Sequence, residues 1–347
     1  SQPLNNLNPS TISTPQQSQP LNLVSTMRIL RISILFLILL CFGLFIRSMD
    51  LSKVADSLRH LGYRFIWLLL TTFAGYFFAT IGWRFCMGIT GNRLSLRKLF
   101  LIRQVGEAVS VINPTNAVGG EAMKMYLLRN TSVSQATLLT AALVSRTGMV
   151  IAQALLFLAT TGALKGFSFP FSASFAGLYF WLLPVAAIVL LIKYRRYLTG
   201  LLVRTHWGEK LVRRAGSAGT GMEKAWADLQ VYFRNSPKAM LVALLFFVLY
   251  WVVDSMELLL ILHFLGIEVS VLQAVMANTG VGFYKAAAGF IPGQIGVEEY
   301  ANKVMLDAIG VPGGETWLVV SLIRRTRQLC WIVFGLLIYV IRYKNED

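Results

Sequence analysis

Apolar residues run through this chain in blocks too long and too uniform to be the single apolar faces of soluble helices. Residues 29–46 are apolar apart from Arg31 and Ser33, and comparable blocks occupy 65–82, 136–164, 175–192, 240–265 and 317–341. Each approaches the roughly 20 residues a helix needs to cross bilayer hydrocarbon, which predicts six full spans. The first reads as a retained helix rather than a secretory signal, because Arg47 and further spans follow it. Two other apolar segments are broken. Residues 99–112 stop at Asn113-Pro114 and resume through Gly119-Gly120-Glu121 to about Leu128, while residues 272–291 stop at Pro292-Gly293 and resume after Gly296 as 297–309. Proline removes a backbone donor and pushes the preceding residue out of the helical region, so each segment predicts a helix, a break and a second short helix.

The two broken segments share a polar frame. Pro114, Glu121 and Arg146 recur 178 residues further on as Pro292, Glu299 and Arg324. Duplicated, Pro/Gly-interrupted hydrophobic segments that carry ionisable residues point to a transporter built from internal repeats, with its site where the repeats meet. The expected fold is an all-α polytopic membrane protein with inverted repeats, each holding a re-entrant helical hairpin. One transmembrane domain is expected over residues 27–347, with repeat-like cores at about 97–164 and 271–341. Residues 1–26 carry no charge and are rich in Ser, Thr, Pro, Asn and Gln, which predicts a disordered polar leader; Met27 reads as a natural start, and a native polar tail is the alternative.

Composition agrees with the pattern. The chain is 56% hydrophobic and 14% charged, with a mean hydropathy of +0.61, far from a soluble domain. Its net charge of +16 would suggest nucleic acid in a soluble protein, but the basic residues concentrate in loops. No nucleic-acid partner is therefore expected. Residues 193–238 hold ten basic residues against Glu209, Glu223 and Asp228, which makes this loop cytoplasmic by the positive-inside rule. Its Trp207, Leu211, Met222, Trp226 and Leu229 fit amphipathic helices on an anionic leaflet, or equally a solvated loop. If both broken segments are hairpins, 18 basic residues lie inside and 5 outside, with both termini cytoplasmic. If each were a single broken span, the ten-charge loop would lie outside, so the charge map favours hairpins that enter from opposite faces.

Charged residues inside membrane segments need a partner or a purpose. They include Arg103, Glu107, Glu121, Lys124 and Arg146 in the first copy, and Lys285, Glu298, Glu299, Lys303, Arg324 and Arg325 in the second. One reading is structural: Glu121 with Lys124 and Glu299 with Lys303 share helix faces, and the glutamates tie the hairpins to Arg146 and Arg324. The other places Arg146, Arg324 and Arg325 around a cavity, where guanidinium forks match a phosphate. On that reading Glu121, Glu299, Lys124, Lys285 and Glu298 complete the substrate site, and helix starts near Gly119, Gly120 and Gly296 add N–H donors. Asp254 and Glu257, spaced i, i+3 in one span, are candidates for ion or proton coupling, for pairing with Lys285, or for an interhelical salt bridge. Cys41, Cys86 and Cys330 are dispersed and His60, His206 and His263 scattered, so neither a metal site nor a cofactor is expected.

In the stretches Asn113-Pro114 to Gly119-Gly120-Glu121-Ala122-Met123-Lys124 and Ile291-Pro292-Gly293-Gln294-Ile295-Gly296-Val297-Glu298-Glu299, and in its Arg324-Arg325 helix, the chain resembles the lysylphosphatidylglycerol synthase transmembrane (flippase-type) family. The resemblance spans about Arg28 to Arg342. It implies movement of lipids, such as aminoacylated phosphatidylglycerol or lipid-linked intermediates, between the leaflets of the plasma (inner) membrane. The first copy departs from the family pattern, with Asn113-Pro114-Thr115-Asn116 in place of the more typical Pro-Gly. Two rivals stay open: a noncatalytic membrane partner of a lipid-modifying enzyme, and a membrane-embedded lipid transferase. The six aspartates form no DxD metal-binding pair for the latter.

Overall fold

The computed structural model describes residues 61–112, 117–164, 237–288, 294, 296–311 and 314–343. The predicted leader, the first and fourth spans, most of the basic loop and the break residues Asn113, Pro114, Pro292 and Gly293 lie outside the described residues. The described residues form eight α-helices: α1 (Phe65–Cys86), α2 (Leu96–Ile112), α3 (Ala117–Leu127), α4 (Gln135–Ala163), α5 (Pro237–Phe264), α6 (Val271–Ala287), α7 (Val297–Ala308) and α8 (Thr316–Ile338). The described residues contain no strand. Helices α1, α4 and α5 are long and apolar enough to span a bilayer. Leu70, Leu155, Leu158, Leu241 and Leu245 are exposed on their outer faces, which suits contact with lipid. Helix α8 has the length to span but carries Arg324, Arg325 and Arg327, all buried against protein.

Local signals set several boundaries. Pro237 opens α5 at a position where its missing N–H has no intrahelical acceptor anyway. Ser270 and Gln273 form a capping box that starts α6, and the Ser134 hydroxyl accepts the Thr137 N–H to start α4. Helix α2 begins at Leu96, three residues before the expected start, because the polar Arg97 and Lys98 continue the helix. At 17 residues it rises only about 25 Å.

The two broken segments fold back on themselves. Along α2 and α3, Gly106 lies against Lys124 and Gly120, and Gly120 against Ser110, a pairing that runs antiparallel. A Cβ on Gly120 would collide with the Ser110 hydroxyl and come within 2.5 Å of the Gly106 carbonyl oxygen, so glycine allows this close approach. Along α6 and α7, Gln273 Nε2 donates to the Ile309 carbonyl at 3.0 Å, Gly280 packs on Met305, and Lys285 meets Glu298, again antiparallel.

Two apolar clusters mark the ends of the bundle. One joins Trp83 and Met87 at the end of α1 with Leu99 and Ile102 of α2, Leu128 after α3, Leu138 and Val144 early in α4, and Phe247 early in α5. The other joins Leu61 and Leu68 with Leu258 and Ile261 late in α5, Met276 of α6, Met305 and Leu306 of α7, and Val320 and Ile323 early in α8. Helices α1 and α8 therefore run one way and α4 and α5 the other. The first hairpin is rooted in one cluster and the second in the opposite cluster. Phe247 wedges between Gly82 of α1 and Gly148 of α4, where added Cβ atoms would lie 2.5 and 2.8 Å from its ring. Between the clusters the packing turns polar.

Candidate functional site

A cavity of about 460 Å³, within the range of small-molecule sites, is lined by residues of both hairpins and of the helices around them. Five cations and four carboxylates line it: Arg103 and Glu107 from α2, Arg146 from α4, Asp254 and Glu257 from α5, Lys285 from α6, Glu298 from α7, and Arg324 and Arg327 from α8. Tyr76, Tyr250, Trp251 and Trp331 supply aromatic walls, and Val111, Val150 and Ile332 an apolar side. Buried charge on this scale requires pairing, and most of it is paired.

At the first hairpin, Glu121 Oε1 accepts from Lys124 Nζ at 2.7 Å and from Arg146 Nε at 2.8 Å, which ties α3 to α4. Glu107 lies 3.5 Å from Arg103 and 3.9 Å from Arg146. Arg103 also donates to the Tyr76 carbonyl and stacks over the Tyr76 ring, while the Lys124 ammonium sits over Trp83.

At the second hairpin the pairing shifts by one residue from the sequence frame. Glu299 accepts a bidentate pair from Arg325, at 2.5 Å from Nε and 3.0 Å from Nη2, and Arg325 also donates to the Gln294 carbonyl. The expected partner was Arg324. On a helix, consecutive residues diverge by about 100°, so Arg325 faces α7 while Arg324 turns toward α6 and the cavity. The expected Glu299–Lys303 pair is absent as well: Lys303 is exposed, and Glu299 uses its other oxygen bonds on Arg325 and on the Gly296 N–H at 2.9 Å. Gly296 sits at φ 81° as the N-cap of α7, a left-handed geometry that glycine adopts without strain.

Glu257, 1% exposed, pairs with Arg327 Nε at 2.7 Å, and Lys285 pairs with Glu298 at 3.4 Å rather than with Asp254 or Glu257. Arg324 differs from its neighbours. It is 4% exposed and donates from Nη2 to Asn278 Oδ1 at 2.6 Å; no carboxylate lies within ion-pair distance among the described residues. Its Nε, Gln104 Nε2, Ser110 Oγ, Arg327 Nε and both Glu257 carboxylate oxygens are buried atoms of lining residues with no hydrogen-bond partner in the protein, the Glu257–Arg327 approach being an ion pair rather than an aligned hydrogen bond. Such atoms cost about 1–3 kcal/mol each when left unsatisfied.

Of the residues singled out in the sequence, Arg146, Arg324, Lys285, Glu298, Asp254 and Glu257 line the cavity. Arg325, Glu299, Glu121 and Lys124 stand behind it and hold the hairpins; Gly120 serves helix packing and Gly296 caps α7, and these two and Gly119 lie outside the lining. Sequence reasoning overlooked Arg327, Asn278, Gln153 and the aromatic wall. Arg327 lies one helical turn from Arg324, and Asn278 is a lone amide in an apolar helix, so both left a visible signal. The described residues contain no cluster of three or more His, Cys, Asp or Glu able to hold a metal ion.

Long apolar helices enclosing a charged cavity between two helical hairpins define an all-α polytopic membrane protein. A family described as the lysylphosphatidylglycerol synthase TM region matches residues 28–336, and the chain belongs to that family. No curated protein and no solved structure matches the chain.

Proposed function

We propose that this protein moves a phospholipid with a charged headgroup between the leaflets of the plasma membrane. The observation that carries this reading is Arg324: a guanidinium nine-tenths buried inside a membrane bundle, in the lining of the cavity, with no carboxylate within ion-pair distance among the described residues. A cation in that position is matched by a ligand phosphate, which accepts the planar donors of guanidinium. The apolar side of the cavity, at Val111, Val150 and Ile332, suits acyl chains that stay in lipid while the headgroup crosses. Hairpins rooted at opposite ends of the bundle support an inverted-repeat mechanism, in which alternate movement of each hairpin opens the cavity to each leaflet. Arg146 and Lys285, at 40% and 31% side-chain exposure, are the cations placed to guide an incoming headgroup. Asp254 and Glu257 serve charge balance in the same cavity, Glu257 through Arg327.

The test is leaflet exchange of fluorescent phospholipids in liposomes containing the purified protein. Wild type should exchange lipid, and Arg324→Gln should lose at least tenfold of the rate while unfolding at a similar temperature. Exchange by Arg324→Gln at the wild-type rate would refute the assignment of the headgroup to this cavity.

A further inference from the structure

The charge pairing inside the cavity specifies what kind of headgroup fits. Glu107 is met by Arg103 and Arg146, Glu298 by Lys285, and Glu257 by Arg327. Two lining charges, Arg324 and Asp254, have no opposite charge within ion-pair distance among the described residues. They are not remote from each other. Asn278 holds both, its Oδ1 accepting from Arg324 at 2.6 Å and its Nδ2 donating to Asp254 Oδ2 at 2.9 Å. One side-chain amide thus spaces a lone cation from a lone carboxylate, and its bond to the Ser255 hydroxyl at 3.3 Å fixes its orientation. Tyr250 and Trp251, one turn before Asp254 on α5, line the cavity beside the carboxylate, and aromatic faces attract ammonium groups.

A monoanionic headgroup satisfies Arg324 and leaves Asp254 without a counter-charge, and a diphosphate sets a further negative charge beside it. A ligand that carries both a phosphodiester and an ammonium satisfies both ends of the pair and leaves neither charge buried without a partner. We propose that the cavity takes a zwitterionic phosphate–ammonium headgroup, the phosphodiester against Arg324 and the ammonium against Asp254, Tyr250 and Trp251, with Asn278 as the spacer between the two. This deepens, and rests on, the lipid-transport reading above.

The test is binding of short-chain phosphatidylethanolamine, short-chain phosphatidylglycerol and tail-free glycerophosphoethanolamine to the full chain purified in detergent, read as apparent Kd. Wild type should bind phosphatidylethanolamine at least tenfold tighter than phosphatidylglycerol, with glycerophosphoethanolamine much weaker than either lipid. Asp254→Asn should abolish the preference while keeping phosphatidylglycerol binding, and Arg324→Gln should weaken both lipids. The wild-type preference needs no variant and stands as a test if Asp254→Asn fails to fold. Equal wild-type affinities, or an unchanged preference in Asp254→Asn, would overturn the zwitterion assignment alone, provided leaflet exchange persists. Tight glycerophosphoethanolamine binding would uphold the headgroup chemistry and overturn the lipid source. Absence of binding by every phospholipid, in protein that unfolds cooperatively, would overturn both readings.

Discussion

The two hairpins carry the same Pro-x6-Glu-x24-Arg frame and use it differently. In the first, Glu121 binds the arginine of the frame, Arg146, whose side chain stays 40% exposed and also approaches Glu107, while Lys124 binds the same Glu121 oxygen. In the second, Glu299 skips the arginine of the frame and takes the next one, Arg325, in a bidentate pair with the guanidinium 5% exposed. The one-residue shift has a functional consequence. It commits Arg325 to holding α7 on α8 and releases Arg324 to the cavity. The first hairpin spends its frame arginine on a half-hydrated junction, whereas the second keeps a spare. The backbones differ too: Gly106 and Gly120 bring α2 and α3 into contact, while α6 approaches α7 through Gly280 against the flexible end of Met305. An apparent repeat in sequence can therefore divide its labour, with one copy acting as a tether and the other presenting the ligand charge.

The largest effect should come from removing the second tether. Glu299→Ala removes the bidentate partner of the buried Arg325, and loss of one partner of such a pair costs about 3–5 kcal/mol. Glu121→Ala should cost less, about 1–3 kcal/mol, because Arg146 can reach water while Lys124 alone is stranded. Thermal unfolding of both variants in one detergent checks the order, and a larger loss for Glu121→Ala would break the contrast. Next in size is the packing contrast. Gly120→Ala forces a methyl against the Ser110 hydroxyl and the Gly106 carbonyl, an overpacking of about 1–3 kcal/mol, whereas Gly280→Ala meets the Met305 thioether, which can move aside. Equal destabilisation of the two would mean that the hairpins are packed alike. The smallest expected change is in Arg146→Gln: a half-exposed ion pair is worth about 0–1 kcal/mol, so unfolding should barely shift even where lipid exchange slows. A loss well above that value would place Arg146 among the structural tethers.

The helical hairpins, their approximate ends and most charged residues of the cavity could be read from the chain because each rests on local information. Long apolar runs predict spans, a proline or glycine break predicts the turn, and a charge within such a run implies a protein-facing position. Four of the eight residues expected to bind substrate line the cavity for that reason: Arg146, Arg324, Lys285 and Glu298. Pairing was not legible. Which of Arg324, Arg325 and Arg327 meets Glu299, Glu257 or Asn278 depends on the azimuth of α8 against α5, α6 and α7, and the apolar pattern of α8 does not set that angle because lipid and protein interior select similar side chains. The aromatic wall was equally hidden, since Tyr76, Tyr250 and Trp331 sit in spans where aromatics need no special reason. The sequence by itself determined that this is a polytopic helical membrane protein with two broken, charged segments; only the tertiary structure decided which charges cancel and which remain for a ligand, because cancellation is a matter of distances between helices far apart in the chain.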